Sequence, residues 1–193
     1  MNRRGYTIIE LIIVIAIMGI LMVLVVVNLR GSQTNARDTQ RRGDVAAIVL
    51  NLENFYSNGT TGSSVFGRYP STGLIGQETT QLPDIDPKAL VAPGVSLTPN
   101  ANGVTTVPTP DSSLIAATCS GTCVQTIAGV TPQPTTSTFV YQPLQSDGTL
   151  CTSGSQECRK FNIYFALENA ATDCPGPNNI CMVTSEKIGR AHV

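Results

Sequence analysis

Gly5-Tyr6-Thr7-Ile8-Ile9-Glu10, followed by the apolar run Leu11 to Val27, is the stretch on which the fold of this chain turns. Seventeen consecutive residues there, 11–27, carry no charge, and counting back to Tyr6 the only charge is Glu10. A bilayer core about 30 Å thick needs roughly 20 such residues as a helix. Residues 6–27 are therefore expected to span a membrane. Gly19 alone interrupts the run, and no proline does. A carboxylate in such a helix costs roughly 2.5–3.5 kcal/mol at its centre and less near the interface. Glu10 therefore needs a cation, a proton, or a place among the head groups.

The residues before it sharpen the reading. Met1-Asn2-Arg3-Arg4-Gly5 is short, basic and ends in glycine. A secretory signal peptide places its small-residue cleavage site after the apolar region; here the candidate site lies before it. Cutting after Gly5 frees an amine on Tyr6, four positions ahead of Glu10. This pattern resembles the prepilin signature of type IV pilins and type II secretion pseudopilins, with tyrosine where phenylalanine is more usual. The resemblance covers residues 1 to about 57. It implies that residues 1–5 are a cytoplasmic leader, cut between Gly5 and Tyr6 by a prepilin peptidase that also methylates Tyr6. It implies that Glu10 of one subunit meets the Tyr6 ammonium of a neighbour, each charge compensating the other in an apolar bundle. The implied partners are identical subunits in a helical filament, the peptidase, the assembly machinery, and the cytoplasmic membrane before assembly.

Beyond the membrane, residues 28–57 continue the helix. The polar part, 28–44, contains no proline, with Gly31 and Gly43 as soft points. Arg37, Asp38, Arg41 and Arg42 read as a solvated face, Asp38 reaching Arg41 or Arg42 at helical spacing. The competing reading is a subunit contact. Val45, Ile48, Val49, Leu52, Phe55 and Tyr56 then recur at i, i+3, i+4, i+7, one face against a core. Ser57-Asn58-Gly59 supplies the stop. A helix from Tyr6 to Ser57 would be about 78 Å long at 1.5 Å per residue. In type IV filaments the segment after the glycine matching Gly19 can unwind. Here Val27 stands at the place of the usual proline, which leaves melting between them open.

Residues 58–117 are rich in Gly, Pro, Ser and Thr and read as a variable loop region, above all Pro99 to Pro110. Asp86 is expected to cap a short helix over 86–91, with Pro87 in its first turn. Asn58-Gly59-Thr60 matches a glycosylation sequon. Strands are expected in the head, 118–187. Phe161, Ile163, Phe165 and Leu167 alternate with Asn162, Tyr164, Ala166 and Glu168 at period two. Further strands are read at 138–142, stopped by Pro143, at 180–184, and more weakly at 124–127. The fold class expected is α+β, a pilin fold: a long N-terminal helix packed on a C-terminal antiparallel sheet with disulfide-closed loops.

The cysteines are Cys119, Cys123, Cys151, Cys158, Cys174 and Cys181. An even number clustered in a chain that leaves the cytoplasm reads as disulfides. Fifteen pairings are open in principle; pairing of neighbours, 119–123, 151–158 and 174–181, is the choice made. Zinc is the competitor, but C-x3-C and C-x6-C lack tight C-x2-C knuckles, and the only histidine is His192.

Net charge is −1, becoming −3 once Arg3 and Arg4 leave with the leader. No basic face points to nucleic acid. No catalytic constellation, cofactor motif or metal motif is found, so no enzyme is expected. Asp147 and Asp173 in Gly-rich turns have a weak calcium reading and a simpler one as turn residues. The positive-inside rule, with Arg30, Arg37, Arg41 and Arg42 after the helix, favours a cytoplasmic head. The leader site and the cysteines favour a head outside, and that orientation is adopted. Residues 188–193 resemble translated sequencing-adapter read-through. The function expected is an extracellular pilus subunit for adhesion, motility or DNA uptake. The alternatives are a secretion pseudopilin and a membrane-anchored surface binding protein that does not polymerise.

Overall fold

A single helix, α1, runs Ile8–Asn58 in the computed structural model. The structure describes residues 7–59, 66–95, 113–119, 121–123, 126–174 and 176–185, without the side chains of 25–30 and 79. The chain divides into two units, Met1–Ala36 and Arg37–Val193.

In the first unit every large apolar side chain from Ile8 to Leu24 is exposed, from 46% at Val14 to 81% at Ile8. Among the described residues no helix is long and apolar enough to cross a membrane. The expected span, 6–27, includes Tyr6 and the side chains of 25–27, which lie outside the described set.

In the second unit α1 becomes one-sided, as the periodicity predicts. Val45, Ile48, Val49, Leu52 and Phe55 are buried in one core cluster, with Tyr56 packed at its edge. α1 ends where glycine permits a left-handed turn: Gly59 has φ 68° and its N–H donates to the Phe55 carbonyl at 2.7 Å. Small elements follow: a 3-10 turn at Thr72–Leu74, α2 at Glu78–Gln81, and a second 3-10 turn at Pro87–Leu90. Asp86 caps the last, its carboxylate accepting from Lys88 N–H at 2.9 Å. The expected short helix is thus a tighter 3-10 turn.

The sheet has four strands, β1 Leu114–Ala116, β2 Phe139–Leu144, β3 Lys160–Ala166 and β4 Ile180–Thr184, in the order β1-β2-β3-β4. It is mixed, which corrects the expectation of a purely antiparallel sheet: β2–β3–β4 pair antiparallel, but β1 runs parallel to β2, Ile115 opposite Val140. A parallel neighbour needs a long crossover, and residues 117–138 supply it. β1 falls where a loop was expected, because three residues show no period. Of the weak strand at 124–127, residues 124 and 125 lie outside the described set, and Thr126 and Ile127 lie in a turn.

Pro143 does not stop β2. Its carbonyl accepts from Cys151 N–H at 2.9 Å, so its backbone edge faces away from β3. The absent N–H costs the β2–β3 ladder nothing. Phe139, Tyr141, Phe161, Ile163 and Phe165 face α1 and share its core. The alternating residues do not meet solvent. Val140, Tyr164, Ala166 and Ile180 form a second cluster, with Ile127 and Val130 packed over it. Asn162 is buried because its amide donates to Gln142 Oε1 at 2.9 Å, and Tyr164 OH donates to the same oxygen at 3.0 Å.

Candidate assembly site

The start of α1 is a capping box. Thr7 Oγ1 accepts from Glu10 N–H at 3.3 Å, while Glu10 Oε2 accepts from Thr7 N–H and Thr7 Oγ1, both at 3.1 Å. Thr at the cap and Glu three residues on satisfy two otherwise orphan donors reciprocally. The carboxylate also sits at the positive end of the helix dipole. Glu10 is therefore held in one orientation by its own helix. Among the described residues its second oxygen, Oε1, has no hydrogen bond. Sequence reasoning missed Thr7, although T-x-x-E before an apolar run is its signal. Gly5 and Tyr6, the expected cleavage and methylation positions, lie outside the described residues, as do residues 188–193 and all of 99–110.

A second polar constellation lies in the head. Arg37, Asp38, Arg41 and Arg42 are not a solvated face: Asp38 is 7% and Arg41 2% exposed. Asp38 does meet Arg41, Nη1 to Oδ1 at 2.8 Å. Arg41 also donates to Glu168 Oε1 at 2.8 Å, the Thr136 carbonyl at 2.9 Å and the Pro93 carbonyl at 3.3 Å. Arg37 grips Glu168 through two bonds, 2.7 and 2.6 Å. Asp38 accepts from the backbone N–H groups of Glu168 and Asn169 at 2.8 and 2.9 Å. Arg42 takes Asp173 in the same two-pronged way, 2.6 and 3.0 Å.

The electrostatics follow from these contacts. The Arg37 hydrogen bonds, then Arg41 against a partial desolvation, hold the Glu168 carboxyl down at about 2. Burial pushes Asp38 up, but the backbone N–H groups, the Asn169 amide and Arg41 outweigh it and keep it below the ordinary value. This clamp fixes the end of β3 on α1. Its partners lie more than a hundred residues apart, so no local pattern announces it.

The cysteines pair as neighbours: Cys119–Cys123, Cys151–Cys158 and Cys174–Cys181. Asp147 closes its turn by accepting from Thr149 N–H at 2.9 Å, and Asp173 is paired with Arg42. Among the described residues no cluster of three or more metal-ligating side chains occurs.

Residues 1–26 match the family described as the prokaryotic N-terminal methylation motif. Across 92 residues, 48% of this chain, the sequence is 33% identical to "Type II secretion system core protein G" of Klebsiella michiganensis. Both findings support the pilin and pseudopilin family. The chain spans about 60% of the length of that curated relative. No solved structure matches. The prepilin-type motif covers the capping box and the exposed apolar run together.

Proposed function

We propose that this chain is a structural subunit of an extracellular type IV pilus, cut after Gly5, methylated on Tyr6, and assembled through Glu10. The observation that carries this is an exposed apolar helix with an oriented carboxylate at its tip. An apolar surface of that extent marks a membrane or a protein interface; a prepilin-type subunit uses it for both in turn. Before assembly the helix lies in the cytoplasmic membrane, with the head outside. In the filament the Tyr6 ammonium of a neighbour takes the open Oε1 of Glu10.

The head offers a matching surface. Thr39, Gly43, Ala46, Leu50, Asn54 and Ser57 form an exposed face of α1 without charge. Beside it a mostly apolar hollow of about 380 Å³ is lined by Val45, Ala46, Val49, Leu50, Phe165 and Val183, and by Arg42, whose charge is paired with Asp173. A neighbour's apolar helix fits such a face because it buries no unpaired charge. The second reading, a type II secretion pseudopilin, is supported by the similarity to core protein G.

Mass spectrometry of the mature N-terminus, on protein sheared from native cells, tests both. An N-methylated peptide beginning at Tyr6 in the sheared fraction supports the pilus. The same peptide confined to the membrane fraction supports the pseudopilin. A peptide beginning at Met1, found only in the membrane, overturns both.

A further inference from the structure

Asp44 stands apart from the other acids of the α1 clamp. Its Oδ2 is buried and has no hydrogen-bond partner among the described residues. A buried polar oxygen left unpaired is costly, and more so when charged. Across the seam from it lies the segment 82–95, seated on α1 through Leu82, Ile85, Leu90 and Ala92, all buried. Asp86 of that segment is the cap of the 3-10 turn, so its own carboxylate is fixed in place by Lys88 N–H. Asp44 lies on α1 between Gln40, which lines a hollow with Lys88 and Val91, and Asn54, which meets Asp84, so its buried, unpaired Oδ2 belongs to the face on which the Asp86 segment packs.

The other charged groups nearby do not supply it with a donor. Arg41 is committed to Asp38 and Glu168. Asp84 accepts from the Asn54 amide at 3.4 Å. Lys88 lines a separate hollow with Gln40, Val91 and Pro93.

We infer that Asp44 and Asp86 form a pH-sensitive latch between α1 and the 82–95 segment, closed when Asp44 is protonated and loosened when it ionises. Burial first, then the Asp86 charge, against Arg41, push the Asp44 carboxyl up to about 6. A carboxyl raised in the closed state binds its proton more tightly there than when opened to water. Closure is thus favoured fully below the ordinary carboxylate value and weakened as pH rises through about 6. A raise from 3.8 to about 6 corresponds to about a hundredfold in all. About tenfold of it falls between pH 5 and 7.5, the rest between the ordinary carboxylate value and pH 5.

Hydrogen–deuterium exchange of the full chain in detergent micelles, at pH 5 and 7.5 and corrected for intrinsic rates, reads the latch directly. The reporters are the N–H groups of Ile85, Ala89, Val91 and Ala92, each hydrogen-bonded within or beside the segment. Their protection is expected to fall about tenfold between pH 5 and 7.5. Asp44→Asn should abolish the dependence and hold the segment at or above its wild-type pH 5 protection. Asp86→Asn, which keeps a capping oxygen, should recover part of the protection lost at pH 7.5. Equal protection of the wild type at both pH values overturns the latch. So does a dependence that survives in Asp44→Asn, or one undiminished in Asp86→Asn.

Discussion

Replacing Arg41 by Met separates a buried clamp from a solvated charge cluster. Arg41 is 2% exposed and donates to two carboxylates and two carbonyls. Removing one partner of a buried ion pair costs about 3–5 kcal/mol, because the opposite charge stays buried and uncompensated. Here Asp38 keeps donors from Glu168 and Asn169, and Glu168 keeps Arg37, so the low end, about 3 kcal/mol, applies. For a head of this size that lowers Tm by about 6–12 °C. Arg37→Met is the control. Arg37 is 36% exposed at its side chain, so losing its pair should cost far less than losing Arg41. The assay is thermal unfolding in detergent, followed by near-ultraviolet circular dichroism of the tyrosines, since tryptophan is absent. Arg41→Met melting within about 2 °C of wild type, well short of the expected shift, would refute the reasoning. Equal shifts in the two variants would do the same.

Glu168→Gln should destabilise the head at neutral pH. Because the native carboxyl is held at about 2 against an ordinary 4.5, the difference from wild type should close as pH falls through that window; acid titrations of both proteins check it. Glu10→Val should stay in the membrane yet yield no filaments; normal filaments by electron microscopy would end the assembly reading. Thr7→Ala removes the cap and costs the first turn about 1 kcal/mol, read as faster amide exchange at residues 8–11. Cys151→Ala with Cys158→Ala should lower head stability by about 2.5 kcal/mol from the loop it closes, measured by urea unfolding.

The helix in the head was legible because Val45, Ile48, Val49, Leu52 and Phe55 repeat at the helical period, and that period is itself the packing. The stop at Gly59 and the cap at Asp86 were legible as local chemistry. β3 showed its period, but what covers its second face did not show. Asn162 and Tyr164 look like solvent residues until Gln142 and the 126–130 turn are in place. β1 was invisible, since a three-residue strand is made by its neighbour rather than by its own sequence. Arg37 and Arg41 looked solvated because Glu168 is too far along the chain to be seen beside them. At the N-terminus the error was one of emphasis: Glu10 was read against the membrane, and its local partner Thr7 was passed over.

Each disulfide closes only a short stretch, with sequence separations of 4, 7 and 7. None joins α1 to the sheet. Under a pulling load on a fibre, covalent bonds would thus shield little of the head from being drawn out. Tension entering α1 at residue 37 must pass to the sheet through hydrophobic packing and the arginine pairs with Glu168 and Asp173. Those two-pronged pairs load both hydrogen bonds together, so they act as shear fasteners rather than as zips. The mechanical strength of such a fibre would then depend on salt and pH, and reducing agents would change it little.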